Sequence, residues 1–144
     1  MKNSLAVIAA AVSLLPAFVF SDEPATGWKQ TAAGTYSYND PQNWVDGEIN
    51  GIFGDELVLE GDQKITFSED TVLNEGLKIN CSLSEKQITF ASDTTDKRTI
   101  TVSGNIDSTS LGEVILDKTL QLDLGGAIRT ITSENTMRLN AVIS

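Results

Sequence analysis

The chain has 144 residues, with 20 acidic against 10 basic residues, a formal net charge of −10 and no histidine. This acidic balance argues against a nucleic-acid partner, since nucleic acids attract lysine and arginine patches. The lack of histidine removes the commonest general base and metal ligand. A single cysteine, Cys81, excludes an intramolecular disulfide. The composition therefore predicts one modest domain without cross-links.

Residues 1–21 have the pattern of a secretory signal peptide. Lys2 supplies the positive charge, and a nearly unbroken apolar run follows from Leu5 to Phe20. The alternative, a membrane anchor, needs about 20 apolar residues, and no basic stop-transfer cluster follows this run. We therefore expect cleavage after Ser21 and a secreted or cell-surface location.

Residues 22–55 form a segment rich in aromatic and turn residues. These residues are Trp28, Gly34, Tyr36, Tyr38, Asp40, Asn43, Trp44, Gly47, Phe53, Gly54 and Asp55. The end of a β-stack exposes apolar side chains and unpaired strand edges, which an aromatic segment can cover. We predict that Trp28, Tyr36, Tyr38, Asn43 and Trp44 belong to such an N-terminal cap. The alternative for the same residues is a glycan contact, because exposed Trp and Tyr side chains stack on sugar rings.

Residues 56–144 consist of short alternating segments rich in Thr, Ile and Val, as half-buried strands prefer. The predicted strands are 57–59, 64–67, 71–73, 77–79, 87–90, 98–102, 104–106, 113–116, 120–124, 129–132 and 137–143. Turn residues such as Asn74-Glu75-Gly76 separate them. No stretch of helical spacing follows the signal segment.

The strands recur with a regular beat. A central apolar residue recurs about every 7 or 8 residues, at Leu57, Ile65, Val72 and Ile79. Three units of one strand and one turn therefore make a coil of roughly 20 to 25 residues. This length is typical of solenoids, and the short turns leave little room for the long crossovers of a Greek key. We predict an all-β fold, a parallel β-helix over residues 56–144. An antiparallel sandwich remains the alternative.

Candidate catalytic groups are limited to acidic pairs and three arginines. They are Glu56/Glu60, Glu69/Asp70, Asp93/Asp96, Glu113/Asp117, Arg98, Arg129 and Arg138. Most of the acids lie in predicted turns, where solvated carboxylates are common. The acidic loops match neither an EF-hand nor a calcium-binding solenoid repeat. We therefore predict no catalytic residue, no dedicated metal site and no cofactor, and we interpret Cys81 as a small buried hydrophobe.

The segment from Trp28 to Asp55, with the strand rhythm after it, resembles the N-terminal region of large exported proteins with autotransporter-associated β-strand repeats. The matching positions are Trp28, Gly34, Tyr36, Tyr38, Asn43, Trp44, Gly47, Gly54 and Asp55. The Gly-rich repeat of that family does not occur in this sequence. The resemblance implies a right-handed parallel β-helix in a long surface or secreted stalk, with no catalytic residues. It also implies that this chain is a fragment of such a protein or a gene product cut short.

These observations lead to one functional prediction and one alternative. We expect a secreted or cell-surface structural or adhesion β-solenoid without catalytic activity, cut short at its C-terminal end. Its partners would be further β-helix coils of a longer chain or a self-assembly partner, with an extracellular glycan as a further candidate. The alternative is a β-helical polysaccharide lyase or a glycan-binding module.

Overall fold

The computed structural model describes residues 26–54, 57–82, 85–109 and 112–144. The predicted signal peptide, residues 1–21, and Asp55 of the cap segment lie outside the described residues. Within them the strands are β1 Gly34–Ser37, β2 Ile52–Phe53, β3 Gln63–Phe67, β4 Thr71–Leu73, β5 Gly76–Ile79, β6 Gln87–Ser92, β7 Arg98–Val102, β8 Asn105–Ser108, β9 Glu113–Leu116, β10 Leu120–Asp123, β11 Ile131–Ser133, β12 Met137–Leu139 and β13 Val142–Ile143. Two single-turn 3-10 helices, Pro41–Asn43 and Val45–Gly47, lie between β1 and β2.

The strands form three parallel sheets that wrap around one core. The first sheet has the order β1-β3-β6-β9-β12, the second β4-β7-β10-β13 and the third β2-β5-β8-β11. Every pairing between these named strands is parallel and joins one coil to the next. The predicted parallel β-helix is confirmed as a solenoid of about four turns, and the antiparallel sandwich was the wrong alternative.

Inward side chains stack in columns along the solenoid axis. In the first sheet Tyr36, Ile65, Phe90, Leu116 and Leu139 occupy matching positions on successive strands. The middle three are buried, because strands in register place the same face of each pleat inward. Burying each such side chain contributes about 1.5–3 kcal/mol. The hydrophobic core is therefore a set of such columns, which we call side-chain ladders, rather than a single cluster around one point.

Three regions differ from the predicted strands. Residues 137–143, predicted as one strand, form two strands, β12 and β13, which lie in different sheets. Residues 57–59, predicted as a strand, form only an isolated bridge between Val58 and Ser82. Conversely β1 and β2, both within the predicted cap segment, pair with β3 and β5 and so belong to the same sheets as the coils. The cap segment thus supplies two sides of an initial coil as well as the residues above it.

Candidate functional site

The aromatic residues of the N-terminal segment form one interlocked cluster. Trp28 lies edge-on to Trp44, with ring centroids 5.1 Å apart, and stacks on Phe53 at 5.2 Å. Tyr38 contacts Trp44 edge-on at 5.0 Å and stacks on Phe67 of β3 at 4.6 Å. Offset and edge-to-face pairs of this kind add about 0.5–1.5 kcal/mol each beyond their buried area. The cluster joins the N-terminal segment to the first complete coil.

Both indole N–H groups are satisfied inside the cluster. Trp28 Nε1 donates to Gln63 Oε1 at 3.0 Å, and Trp44 Nε1 donates to the Tyr38 carbonyl at 2.8 Å. Gln63 is itself buried and donates through Nε2 to the carbonyls of Gln30 and Ala32, at 2.8 and 2.9 Å. Sequence reasoning missed Gln63. Its only signal is its position in phase with Ile65 and Phe67 on the inward face of β3.

Asn43 holds the segment above the first strand. Its Nδ2 donates to the Ser37 carbonyl at 2.8 Å, and its Oδ1 accepts from Gln30 Nε2 at 3.1 Å. On the opposite side, the Trp28 N–H donates to the Ile52 carbonyl of β2 at 2.9 Å. These bonds cover edge groups of β1 and β2 that a neighbouring strand would otherwise take.

The five predicted cap residues lie together in the structure, but they differ in how much of each side chain is exposed to solvent. Trp28 and Trp44 have 0% exposure, so their faces contact protein rather than solvent. Tyr36 is partly exposed, and its hydroxyl donates to the Ala32 carbonyl at 3.1 Å. Stacking of a sugar needs an exposed ring face, which neither tryptophan offers. The arrangement therefore fits a packing role for the two indoles.

The acidic pairs that could serve catalysis take part in local structure. Asp93 forms an ion pair with Arg98 at 3.2 Å, and Glu113 forms one with Arg138. Asp70 accepts the Thr99 N–H at 2.8 Å, linking two coils. Glu56 lies outside the described residues. Among the residues that are described, no group of three or more His, Cys, Asp and Glu side chains could hold a metal ion.

Asp117 illustrates how these acids close turns. Its Oδ1 accepts from the Thr119 N–H at 2.9 Å and from the Thr119 hydroxyl at 2.8 Å. Burial pushes its pKa upward, but these bonds and the neighbouring Lys118 outweigh it, so the pKa stays below the ordinary value. The Thr119 hydroxyl also accepts the Ser92 N–H of the preceding coil at 3.0 Å. The carboxylate therefore organises a turn that contacts its neighbour.

Cys81 is buried in the core, at 0% exposure. Burial raises the pKa of its thiol to about 12. Because the thiolate is the reactive form, a thiol held neutral in this way is a poor nucleophile at neutral pH. This placement agrees with the interpretation of Cys81 as a packing residue.

The opposite end of the solenoid differs from the cap. The last described coil, β11 to β13, has the exposed apolar residues Ile128, Leu139, Val142 and Ile143 in or next to its strands. Leu139 is 41% exposed and Ile143 49%, although their partners Leu116 and Leu122 in the coil below are buried. We call this end of the solenoid, where Leu139 and Ile143 end the inward columns, the open end.

Comparisons with protein-family models, with curated proteins and with solved structures give no match to this chain. In the described part of the chain, no helix has the length and apolar character needed to span a bilayer. The geometry of the cap, the sheet faces and the open end is therefore the basis for the functional argument.

Proposed function

We propose that this chain is a structural β-solenoid segment of an exported protein, serving as a spacer or adhesion scaffold without catalytic activity. The observation that carries the proposal is the contrast between the two ends. Aromatic side chains and their hydrogen bonds cover one end, whereas the other presents apolar side chains in phase with the core ladders. A stack built this way starts at the cap and grows in one direction, because each coil gains stability from its neighbour.

The partner of the open end is a further β-coil of the same kind. Leu139 and Ile143 each terminate a ladder, and a coil above them would bury both. The outer edges of β11, β12 and β13 are also free of strand partners among the described residues, and such edges are templates for strand addition. A longer polypeptide would supply this coil itself. A second copy would occupy the same surface when no further coil is present.

The purified protein is expected to self-associate through the open end and to stop at the dimer. The cap blocks the stacking of a complete coil on the other end, so the expected contact is an isologous one between two open ends, and such contacts close rather than polymerise. Analytical ultracentrifugation over a concentration series measures the oligomeric state.

The predicted removal of residues 1–21 is tested on the same sample by measuring the intact mass of the exported protein.

The Leu139→Lys, Ile143→Lys double variant identifies the contact surface. Charged side chains at two ladder ends are expected to weaken dimerisation by at least about tenfold, since each buried apolar side chain contributes on the order of 1.4 kcal/mol or more. Val58→Lys is the matched control, because Val58 is similarly exposed, at 56%, but precedes β3 near the capped end. Unlimited polymers, or equal loss in the control, would contradict the proposal. Turnover of an acidic polysaccharide would favour the lyase alternative instead.

A further inference from the structure

The initial coil lacks one of its three strands. It has β1 in the first sheet and β2 in the third, but the second sheet begins only with β4 in the following coil. In the missing place the chain runs through the 3-10 helices Pro41–Asn43 and Val45–Gly47. The edge of β4 therefore faces a gap in the cap rather than a neighbouring strand.

This gap is a cleft of about 220 Å³. Its walls include Tyr38, Ile49, Asn50, Val72, Asn74 and Glu75. Contacts of the chain with itself bound the cleft at both sides. On the side where the chain leaves β1, Asn39 Nδ2 donates to Thr71 Oγ1 at 2.9 Å. On the side where the chain enters β2, the Lys78 N–H donates to the Gly51 carbonyl at 2.9 Å. A through-running strand would have to displace these bonds, so the cleft suits a compact ligand.

The β4 edge offers a hydrogen-bond donor and an acceptor to this cleft. Leu73 accepts from the Ser103 N–H of the adjacent coil, so its backbone groups point toward β7. Backbone groups alternate in direction along a strand, and those of Val72 therefore point away from β7. No described residue pairs with them. The Val72 side chain is 55% exposed and adds apolar surface beside Ile49.

The Tyr38 hydroxyl is the second unpaired group. Tyr38 is only 1% exposed, and its ring is fixed by Trp44 and Phe67, yet its hydroxyl has no hydrogen-bond partner among the described residues. It lies beside Gly51, where an added Cβ would come within 3.2 Å of it. Burial raises its pKa, so the group stays a neutral donor and acceptor. Tyr38 lines the cleft, so a ligand group there could donate a hydrogen bond to its hydroxyl or accept one from it.

The chemistry of the walls narrows the ligand class. Glu75 and the net charge of −10 disfavour anions, and one carboxylate without a second is a poor cation site. Sugar hydroxyls both donate and accept, which matches the Val72 backbone, the Tyr38 hydroxyl, the Asn74 amide and the Nδ2 of Asn50, whose Oδ1 already accepts from the Ile52 N–H at 3.1 Å. The volume is below the ~300–1,000 Å³ of sites for drug-sized ligands. We propose that this cleft binds a single neutral sugar unit, through the Tyr38 hydroxyl and the free edge of β4.

Saturation-transfer NMR titrations with the purified protein test this site. The probes are methyl β-glucoside, methyl β-galactoside and N-acetylglucosamine, with methyl β-glucuronide as the anionic counterpart of the first. We expect at least one neutral probe to bind, and the glucuronide to bind more weakly than methyl β-glucoside. Tyr38→Phe keeps the ring but removes the hydroxyl, and it is expected to weaken binding by about three- to tenfold, the effect of one hydrogen bond.

Tyr36→Phe is the matched control. It also removes one tyrosine hydroxyl, but that group is bonded to the Ala32 carbonyl and is not part of the cleft wall. Binding by Tyr36→Phe should equal that of the wild type, and the thermal unfolding midpoint of Tyr38→Phe should not fall, because its hydroxyl has no partner to lose. The inference is overturned if no neutral probe binds, if Tyr38→Phe binds normally, or if the glucuronide binds equally well. The open-end variants should leave sugar binding unchanged, so this test and the dimerisation test fail independently.

Discussion

Replacing Trp44 by alanine is expected to lower the free energy of unfolding by about 3–5 kcal/mol, the usual cost of truncating a fully buried aromatic side chain. Trp44 has 0% exposure and contacts the rings of Trp28, Tyr38 and Phe53. Its removal would leave a cavity between the cap and the first coil. Domains of this kind are stable by only about 5–15 kcal/mol, so this loss is a large share of the total.

Denaturant unfolding, followed by far-UV circular dichroism, measures the loss. Trp44→Phe is the graded control, since it keeps an aromatic ring but removes the Nε1–H that donates to the Tyr38 carbonyl. It should lose clearly less than the alanine variant. A loss within about 0.5 kcal/mol for Trp44→Ala, typical of surface positions, would mean that the aromatic cluster does not stabilise the fold.

The second large effect is expected at the start of β5, where successive coils touch. Gly76 has φ of +90°, and a Cβ built there would lie 1.9 Å from the Asn105 carbonyl oxygen of the next coil. Gly76→Ala therefore combines left-handed backbone strain, about 1–2 kcal/mol, with overpacking, typically about 1–3 kcal/mol. We expect a total loss of about 3 kcal/mol in the free energy of unfolding, measured by the same denaturant method.

Gly125→Ala separates the two contributions. Gly125 also has a positive φ, +62°, but an added Cβ would meet no atom within 4 Å. Its loss should be close to the backbone strain alone, about 1–2 kcal/mol. If both variants lose the same free energy, the close approach of Gly76 to the next coil is not present in solution.

The sequence was a good guide to the strands and to the parallel solenoid they form, but not to the register between successive coils. Alternation in 98–102 and 120–124 predicted β7 and β10, because the period of two is local. The coil length is not constant, however. Thr71 pairs with Ile100 but Val114 pairs with Met137, so the number of residues per coil varies with the length of the turns. A search for a repeat at one fixed spacing therefore does not find the register. The close approach of particular residues in successive coils, such as Gly76 of β5 and Asn105 of β8, therefore had no signal in the sequence.

The structure of the cap, too, could be predicted from the sequence only in part. Its aromatic residues could be predicted, since such side chains seek burial wherever a β-stack ends. The strands β1 and β2 were missed because Gly34 and the two-residue length of β2 conceal the alternation. The cleft beside Tyr38 depends on where residues 38–51 leave the strand path, and that is decided by contacts distant in sequence, including Asn39 with Thr71.

The most direct test of the stacked-coil fold is the pattern of nuclear Overhauser effects between side chains in one ladder. The parallel solenoid predicts contacts from Ile65 to Phe90 and from Phe90 to Leu116, residues that face each other on β3, β6 and β9. An antiparallel fold would instead give close Hα–Hα contacts between strands consecutive in the chain, such as β3 and β4, since non-hydrogen-bonded antiparallel pairs approach to about 4.5 Å between Cα atoms. The first pattern is the result expected here, and the second would contradict the whole account.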